Sequence, residues 1–464
     1  FFEREQTLLG AKLKRVSEFY VVSSMGTPRH RGEAVGGTIN DHSPEEPSMT
    51  QRDSSRNPAV RLSVIGLTLL VALAVSAPGR ADAPRTIVIG EVSGAAITAT
   101  QLLQRMQLVD EAGHWIGGDA VLVQTGDLMD GGENVRAALD LFMGLQEEAA
   151  AAGGKVVVLM GNHEVLNIIG DYRGVDYMAY QHFAGADSEQ QQQRAWEAYA
   201  AWRQQRAEAT GGDFTADEAA RAEWIASHPP GWVEYAMSMR PEGVYGRWLR
   251  TLPVAFERDG TLFVHAGFSP DMGEMDVVYV NDAATDEIAA FDDYRARMVS
   301  DGLALPFSSA HELVDVITAE IAYLNGLEGK QQRSARKRAE AANELQPLTR
   351  LGNWVVLSKK GPLWFKGATE WDDKLHGAEM SEILDNVGAR RMVVGHASGP
   401  AQHIHARFGG RVIVASCPMS DDPWVASTPA GLEIVGDEIF VLTPTDRQVL
   451  LGAARDPAPI VAAR

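Results

Sequence analysis

Residues 155–164 have the sequence KVVVLMGNHE, in which a short apolar run passes directly into residues that can carry chemistry. The run is rich in valine, which is typical of a β-strand that is buried on both faces. Asn162, His163 and Glu164 follow Gly161, whose missing side chain allows the backbone to turn sharply. The stretch therefore predicts a buried strand that ends at a polar site.

The same arrangement recurs four more times along the chain. Each of the other apolar runs ends close to a polar residue, and these residues are Glu91, Asp127, His265 and His396. Segments with helical periodicity lie between the runs, at about 97–109, 133–152 and 379–388. Alternating strands and helices predict a layered α/β fold. Because ligands in such folds bind at the carboxyl ends of the strands, we expect the polar side chains to meet.

Two helical stretches interrupt this alternation, at about 185–250 and about 275–350. Both fall between strand motifs, so we interpret them as helical insertions near the mouth of the site. The first contains Trp196, Tyr199 and Trp202 at helical spacing. Aromatic residues at this spacing more often pack in a core than line a ligand site.

The first 83 residues are expected to precede the folded domain, which we place at 84–464. Residues 1–48 have no sustained period and are interpreted as an upstream extension or a disordered segment. Residues 49–83 combine arginines, an apolar run and an Ala-x-Ala motif, which is typical of a secretory signal peptide. The run is shorter than the ~20 residues of a membrane span. We expect an exported, periplasmic or secreted protein without a stable span, the alternative being an anchor formed by an uncleaved leader.

Composition and missing motifs exclude several classes of protein. Hydrophobic residues make up 45% and charged residues 22%, as in globular proteins. The single cysteine excludes an intrachain disulfide. The net charge of −20 repels nucleic acid, so we expect no nucleic-acid partner, and a phosphate-bearing ligand needs a local cation. The sequence has no G-x-S-x-G elbow, P-loop or H-E-x-x-H motif.

The polar residues at the strand ends have the chemistry of a metal site. Carboxylate and amide oxygens together with imidazole nitrogens suit Mn, Fe or Zn rather than Ca. Two such ions about 3.5–4 Å apart can clamp a phosphoryl group during an in-line displacement. A nearby histidine that is oriented by a carboxylate can protonate the leaving oxygen.

Taken together, the motifs resemble those of the calcineurin-like metallophosphoesterases, most closely the bacterial Shewanella-like protein phosphatases. The similarity covers roughly 86–172, 243–270 and 361–420. It is carried by Gly126-Asp127-x-x-Asp130-x-Gly132, Gly161-Asn162-His163-Glu164, His265-Ala266-Gly267, Gly395-His396 and the segment HWIGGD at 114–119. The resemblance implies a four-layer αββα sandwich with helical insertions, and one or two divalent transition-metal ions as cofactors.

The resemblance also implies roles for individual residues. Asp127 would bridge two ions, and Asn162, His265 and His396 would complete one metal site with it. The remaining roles are a general acid at His163, an orienting carboxylate at Asp130 and a supporting carboxylate at Glu164.

Several positions depart from the family pattern. The family motif G-D-x-H-G is here GEVSG, so that Glu91 is one methylene longer than Asp and Ser93 replaces a histidine ligand. Glu91 is therefore only a weak candidate ligand. A phosphate-binding arginine is replaced by Gly131, and a second one by Lys366, which keeps the charge without the bidentate fork. His403 and His405, on a predicted strand, are alternative nitrogen donors, although we favour the simpler interpretation of a partly exposed strand face.

Two hypotheses follow from this pattern. The first is a metal-dependent phosphoesterase with one intact and one impaired metal site and reduced activity, acting on a phosphorylated small molecule or a phosphoprotein. The alternative is an inactive pseudophosphatase that serves as a binding or scaffold module.

Overall fold

The computed structural model describes residues 85–129, 131–132, 134–397, 402–417, 419–422 and 429–452. The upstream extension, the signal peptide and Asp130 lie outside the described residues, so those expectations stay predictions. Within the described ranges, no helix is both long and apolar enough to cross a membrane.

The first sheet has six strands. They are β1 (Thr86–Ile89), β2 (Val121–Gln124), β3 (Lys155–Val158), β9 (Gly431–Val435), β10 (Glu438–Leu442) and β11 (Arg447–Leu451). Their order across the sheet is β11-β10-β9-β1-β2-β3. β1, β2 and β3 are parallel, whereas β9 pairs antiparallel with β1 and continues into two further antiparallel strands.

The second sheet has five strands. They are β4 (Ala255–Arg258), β5 (Thr261–Val264), β6 (Arg391–Val394), β7 (His405–Arg407) and β8 (Val412–Val414). Their order is β4-β5-β6-β8-β7, in which β5, β6 and β8 run parallel.

The two sheets pack face to face, because alternate side chains of each strand point into a shared apolar layer. Val88 and Val123 of the first sheet share this layer with Phe263 and Ile413 of the second. Ile87, one position away from Val88, instead belongs to the helix-covered core. This alternation follows from the two-residue period of a strand.

Helices cover the outer faces of both sheets. The covering helices are α1 (Ala96–Arg105) and α2 (Val135–Ala151) on the first sheet, and α13 (Gly367–Glu370) and α14 (Asp373–Asn386) on the second. The structure is therefore a four-layer αββα sandwich, which confirms the predicted fold class.

The two stretches interpreted as insertions are helical. The first follows the short helix α4 (Tyr177–Gln181) and contains α5 (Ser188–Thr210), α6 (Glu218–Ser227), α7 (Trp232–Ser238) and α8 (Val244–Leu249). The second contains α9 (Val277–Ser300), α10 (Ala310–Asn325), α11 (Gly329–Ser334) and α12 (Arg336–Glu344). Trp196 and Trp202 of α5 are buried in an aromatic cluster, in agreement with the core-packing interpretation.

Helix boundaries differ from the predicted ones where local capping decides them. α1 ends at Arg105 rather than near 109, because Gln107 adopts a left-handed conformation with φ of 58°. α14 begins six residues before the predicted start, since the Asp372 side chain accepts hydrogen bonds from the amides of Lys374 and Leu375.

Candidate metal centre and active site

The polar residues predicted at the strand ends lie on loops at one edge of the sandwich. Asp127 follows β2, His265 follows β5 and His396 follows β6. Asn162 is the first residue of α3 (Asn162–Ile169), the helix that follows β3. Because these strands are parallel within each sheet, their carboxyl ends bring residues distant in sequence to the same place.

His265 is at the centre of the cluster. Its Nε2 atom lies 2.8 Å from Oδ1 of Asn162, 3.1 Å from Nδ1 of His396 and 3.3 Å from Oδ2 of Asp127. The ligand atoms of Asp127, His265 and His396 all lie within 4.8 Å of one another. The structure thus brings together the four residues that the sequence suggested as one ligand set.

The orientation of His265 suits metal binding. Its Nδ1 lies 2.8 Å from the carbonyl oxygen of Thr125, and the side chain is fully buried. A carbonyl can only accept, so Nδ1 is the protonated nitrogen. In the neutral imidazole the Nε2 lone pair then points towards the other three ligands, as in many metal-binding histidines.

The loop that carries Asp127 is held by Glu164. The two oxygens of the buried Glu164 carboxylate accept hydrogen bonds of 2.8 Å from the amides of Asp127, Leu128 and Gly161. Gly161 must be glycine, since a Cβ there would lie 2.2 Å from Oδ1 of Asp127. Glu164 therefore shapes the site through the backbone and does not join the ligand set.

Backbone conformation at two ligands is also unusual. Asp127 and His396 have φ values of 60° and 48°, in the left-handed region that non-glycine residues rarely occupy. Such conformations cost roughly 1–3 kcal/mol each and persist where the surroundings enforce them. The fold holds both side chains in place at some expense of stability.

The charges in the cluster favour the metal-binding forms of two ligands. Burial raises the pKa of the Asp127 carboxyl, but the neighbouring His265 outweighs burial and holds that pKa well below its usual range. Burial and then the charge of His265 lower the pKa of His396 to about 3. Asp127 is therefore ionised and His396 neutral near pH 7, which are the protonation states that bind divalent ions.

The pKa values of His265 and Glu164 are raised instead of lowered. Burial lowers the pKa of His265, yet the charges of Asp127 and Glu91 raise it to about 9. Burial and then the charge of Asp127 raise the pKa of Glu164 to about 7. His265 is therefore protonated near pH 7 and offsets the charge of Asp127, and a bound cation would have to displace that proton.

The four donors fit one divalent transition-metal ion. They comprise a carboxylate, a carboxamide oxygen and two imidazole nitrogens, a mixture that suits Mn, Fe or Zn. A cavity of about 280 Å³ opens beside them. Its lining includes Asp127, His396, Glu91, Ser93, His163, Lys366, Gln402, Cys417 and Met419.

The altered motif lines the same cavity but stays outside the ligand cluster. Among the described residues, only Asp127, His265 and His396 form a group of three or more acidic, histidine or cysteine side chains with ligand atoms within 4.8 Å. Oε2 of Glu91 is buried and has no hydrogen-bond partner in the described part of the chain. Burial raises the pKa of the Glu91 carboxyl, against the opposing charge of His265.

The residues at positions expected to bind or protonate the substrate differ in their surroundings. His163 lines the cavity, and its amide donates a 3.1 Å hydrogen bond to Oδ1 of Asp127. Lys366 also lines the cavity and lies 3.4 Å from a carboxylate oxygen of Glu370. Gly131 has a φ of 61°, with open space where a side chain would be.

One residue of the cavity wall was missed by sequence reasoning. Cys417 lines the cavity, and burial raises the pKa of its thiol to about 11, so that it stays protonated. His403 and His405 stack on each other with ring centroids 4.4 Å apart, and neither joins the ligand cluster.

Comparison with known proteins identifies relatives of part of this chain. Residues 85–301 match the family model of the calcineurin-like phosphoesterases. Shewanella-like protein phosphatase 2 of Arabidopsis thaliana is 34% identical over 99 residues, which are 21% of this chain and 25% of that protein. Shewanella-like protein phosphatase 1 of Plasmodium berghei is 34% identical over 92 residues, which are 20% of this chain and 25% of that protein.

A cold-active protein-tyrosine phosphatase from a psychrophilic Shewanella species can be superimposed on 79% of this chain and 80% of its own. The TM-score is 0.45 and the sequence identity 19%. The chain spans about a quarter of the length of the two curated relatives named above. The family match over residues 85–301 confirms the resemblance seen in the sequence, and this part of the chain carries a calcineurin-like phosphoesterase domain.

Proposed function

We propose that this protein is a metal-dependent phosphoesterase that hydrolyses phosphomonoesters, with one intact and one impaired metal site and with activity below that of its relatives. The observation that carries the proposal is the convergence of Asp127, Asn162, His265 and His396 around one point beside an open cavity. Four donors of this kind have no comparable structural purpose, because they place a buried charge cluster at the end of an otherwise apolar core.

These four residues would hold one Mn, Fe or Zn ion. When bound, such an ion supplies Lewis acidity at a phosphoryl oxygen and lowers the pKa of a coordinated water. The protein residues supply the other functions. His163, on the cavity wall, is placed to donate a proton to the leaving oxygen, and Lys366 offers a point charge to the phosphate.

Two residues are the reason for assigning an impaired second metal site. A serine hydroxyl is a poor ligand for these ions, and Glu91 lies outside the cluster that its aspartate counterpart would join. Loss of groups around a metal typically weakens binding about 10–100-fold even when the lost group is not itself a ligand. We therefore assign one tightly bound ion per chain and a slow reaction.

The substrate is a phosphorylated small molecule or a phosphoprotein. A volume of about 280 Å³ admits a phosphate and a few further atoms, so a larger substrate would present only its phosphorylated side chain. Nucleic acid is disfavoured by the net charge of −20. On the leader-like pattern at 49–83 we propose that the protein acts outside the cytoplasm.

A second candidate function is a pseudophosphatase that binds phosphorylated partners without hydrolysing them. Oε2 of Glu91, which is buried without a hydrogen-bond partner among the described residues, favours this candidate. A buried carboxylate outside the ligand cluster destabilises the fold without binding a metal ion. This is expected if selection for turnover has relaxed.

Metal content and turnover separate the two candidates. The purified protein is dialysed against Mn²⁺, its metal content is measured by mass spectrometry, and hydrolysis of p-nitrophenyl phosphate is followed. We expect about one ion per chain and slow hydrolysis, both abolished by His265→Ala. His114→Gln is the matched control, since His114 is an exposed histidine paired with Glu148. Bound metal without hydrolysis would establish the second candidate, and absence of bound metal would overturn the proposed site.

A further inference from the structure

The cavity has few cations for a site that binds phosphate. Lys366 is the only lysine or arginine among the described residues that line it, and Glu370 pairs with it at 3.4 Å. The position of a family arginine is occupied by Gly131. Because the whole chain carries a net charge of −20, an anionic substrate depends on local cations near the cavity.

The loop after α3 carries an arginine one residue before a glycine that packs against His163. Gly170 ends the helix in a left-handed conformation with φ of 80°, and the chain then turns back along the helix. A Cβ placed on Gly174 would lie 3.6 Å from Cε1 of His163, so the loop backbone lies against the imidazole ring. Arg173 immediately precedes this contact.

Arg173 is held in position by a buried carboxylate. Its Nε and Nη2 atoms donate hydrogen bonds of 2.7 and 2.6 Å to the two oxygens of Asp171. The Asp171 side chain is only 6% exposed, whereas the Arg173 side chain is 75% exposed. One edge of the guanidinium is therefore fixed, and the remaining N–H groups of its fork face outwards.

The second insertion adds another nitrogen at the same place. Nδ1 of His311, at the start of α10, lies 3.7 Å from Oδ2 of Asp171, and the histidine side chain is 57% exposed. Asp171 thus lies between two exposed basic side chains. Neither basic side chain is needed to hold the ligand cluster together.

We propose that Arg173, oriented by Asp171 and accompanied by His311, forms an accessory subsite for a second anionic group on the substrate. This inference rests on the proposed function, because a proton donor at His163 faces the leaving group. The second anion therefore belongs to the leaving group: a carboxylate or another phosphate close to the phosphorylated side chain. Phosphopeptides with acidic neighbours are substrates of this class.

The test measures binding rather than turnover. Three labelled peptides carry a non-hydrolysable phosphonate at the central position and differ only at its neighbours, which are glutamine, glutamate or phosphoserine. Their affinities for the Mn²⁺-loaded full chain are measured by fluorescence anisotropy. An exposed charge pair is worth up to about 1 kcal/mol, so we expect both acidic peptides to bind roughly threefold to fivefold more tightly than the neutral one.

The variants assign this preference to one residue. Arg173→Gln should abolish it, and Arg173→Lys should keep part of it. Arg336→Gln is the matched control, since it removes an equally exposed guanidinium whose partner is Glu340 on the same helix. The double variant Asp171→Asn with Arg173→Gln avoids a buried unpaired carboxylate if the single variant folds poorly. The preference should also fall between about 0.05 M and about 0.5 M salt.

The outcomes distinguish this inference from the proposed function. Equal affinities for the three peptides, or a preference that survives Arg173→Gln, would overturn the subsite. A preference for only one acidic peptide that is lost in Arg173→Gln supports the subsite and identifies the anion as carboxylate or phosphate. Failure of the wild-type chain to hydrolyse p-nitrophenyl phosphate would refute the enzymatic proposal while leaving the binding result to decide the subsite.

Discussion

Restoring the altered motif by Glu91→Asp together with Ser93→His should create a second metal site. The aspartate carboxylate would be about 1.5 Å closer to the backbone than that of Glu91. The shorter side chain removes Oε2 of Glu91 from its present position, where it is buried without a hydrogen-bond partner in the described residues. The histidine would add an imidazole from the wall of the cavity that Asp127 also lines.

The magnitude follows from the ligand count. The second site now shares only Asp127 with the first, and the double change gives it two further ligands in place of a displaced carboxylate and a hydroxyl. Lost groups around a metal typically cost about 10–100-fold in affinity or activity. We expect at least a tenfold rise in kcat/KM, equivalent to about 1.4 kcal/mol of transition-state stabilisation.

The backbone at residue 93 permits the test. Ser93 has a φ of 51°, and histidine is one of the non-glycine residues that tolerate this region comparatively well. A Cβ on Gly132 would lie 1.6 Å from the carbonyl oxygen of Ser93, so the neighbouring loop fixes this backbone. The new side chain should therefore start from the Cα position that Ser93 has now.

The assay combines Mn²⁺ stoichiometry with hydrolysis of p-nitrophenyl phosphate. We expect the stoichiometry to rise from about one to about two ions per chain. Each single variant provides a control and should fall short of the double variant, because one new ligand leaves the site incomplete. Two bound ions without faster hydrolysis would show that the deficit lies elsewhere, for example at Gly131. An unchanged stoichiometry would refute the geometric argument.

Two further predictions concern the surroundings of the site, and a third concerns the first helical insertion. Tyr235→Phe removes a buried hydrogen bond of 2.6 Å to Oδ1 of Asn167, whose Nδ2 donates to the carbonyl of His163. It should lower the free energy of unfolding by about 1–2 kcal/mol and lower kcat more than it changes KM. Glu164→Gln replaces an acceptor that serves three amides, so Mn²⁺ affinity should fall at least about tenfold in a metal titration. Burial lowers the pKa of His228 to about 4 from its ordinary value of 6.5. The unfolded chain therefore takes up this proton first, and stability should fall by up to about 3 kcal/mol between pH 6.5 and pH 4, a component of urea unfolding that His228→Gln removes.

The convergence of the four candidate ligands was predictable because the chemistry and the local pattern agree. Asp127, Asn162, His265 and His396 each follow a strongly apolar run, so their positions at strand ends could be inferred from the sequence. Parallel packing then places these ends at one edge. The supporting bonds of Glu164 were not predictable in detail, because three amides from two loops must first be brought together by the tertiary fold.

Part of the first sheet was missed for a different reason. β11 is largely exposed, and its sequence RQVLL lacks the continuous apolar character of β1 to β3. The hairpin between β9 and β10 did carry a signal, since only Gly436 and Asp437 separate the two strands. Gly436 has a φ of 61°, as a tight two-residue turn of this kind requires.

The retained fold does not by itself argue for retained activity, because the ligands contribute little to stability. Asp127 and His396 hold left-handed conformations that cost roughly 1–3 kcal/mol each. The apolar layers between and outside the sheets stabilise the protein independently of these side chains. Substitution of a ligand such as the histidine replaced by Ser93 is therefore tolerated by the fold. The four polar residues around His265 are informative because their arrangement lowers the stability of the fold. Such an arrangement persists only where a function maintains it.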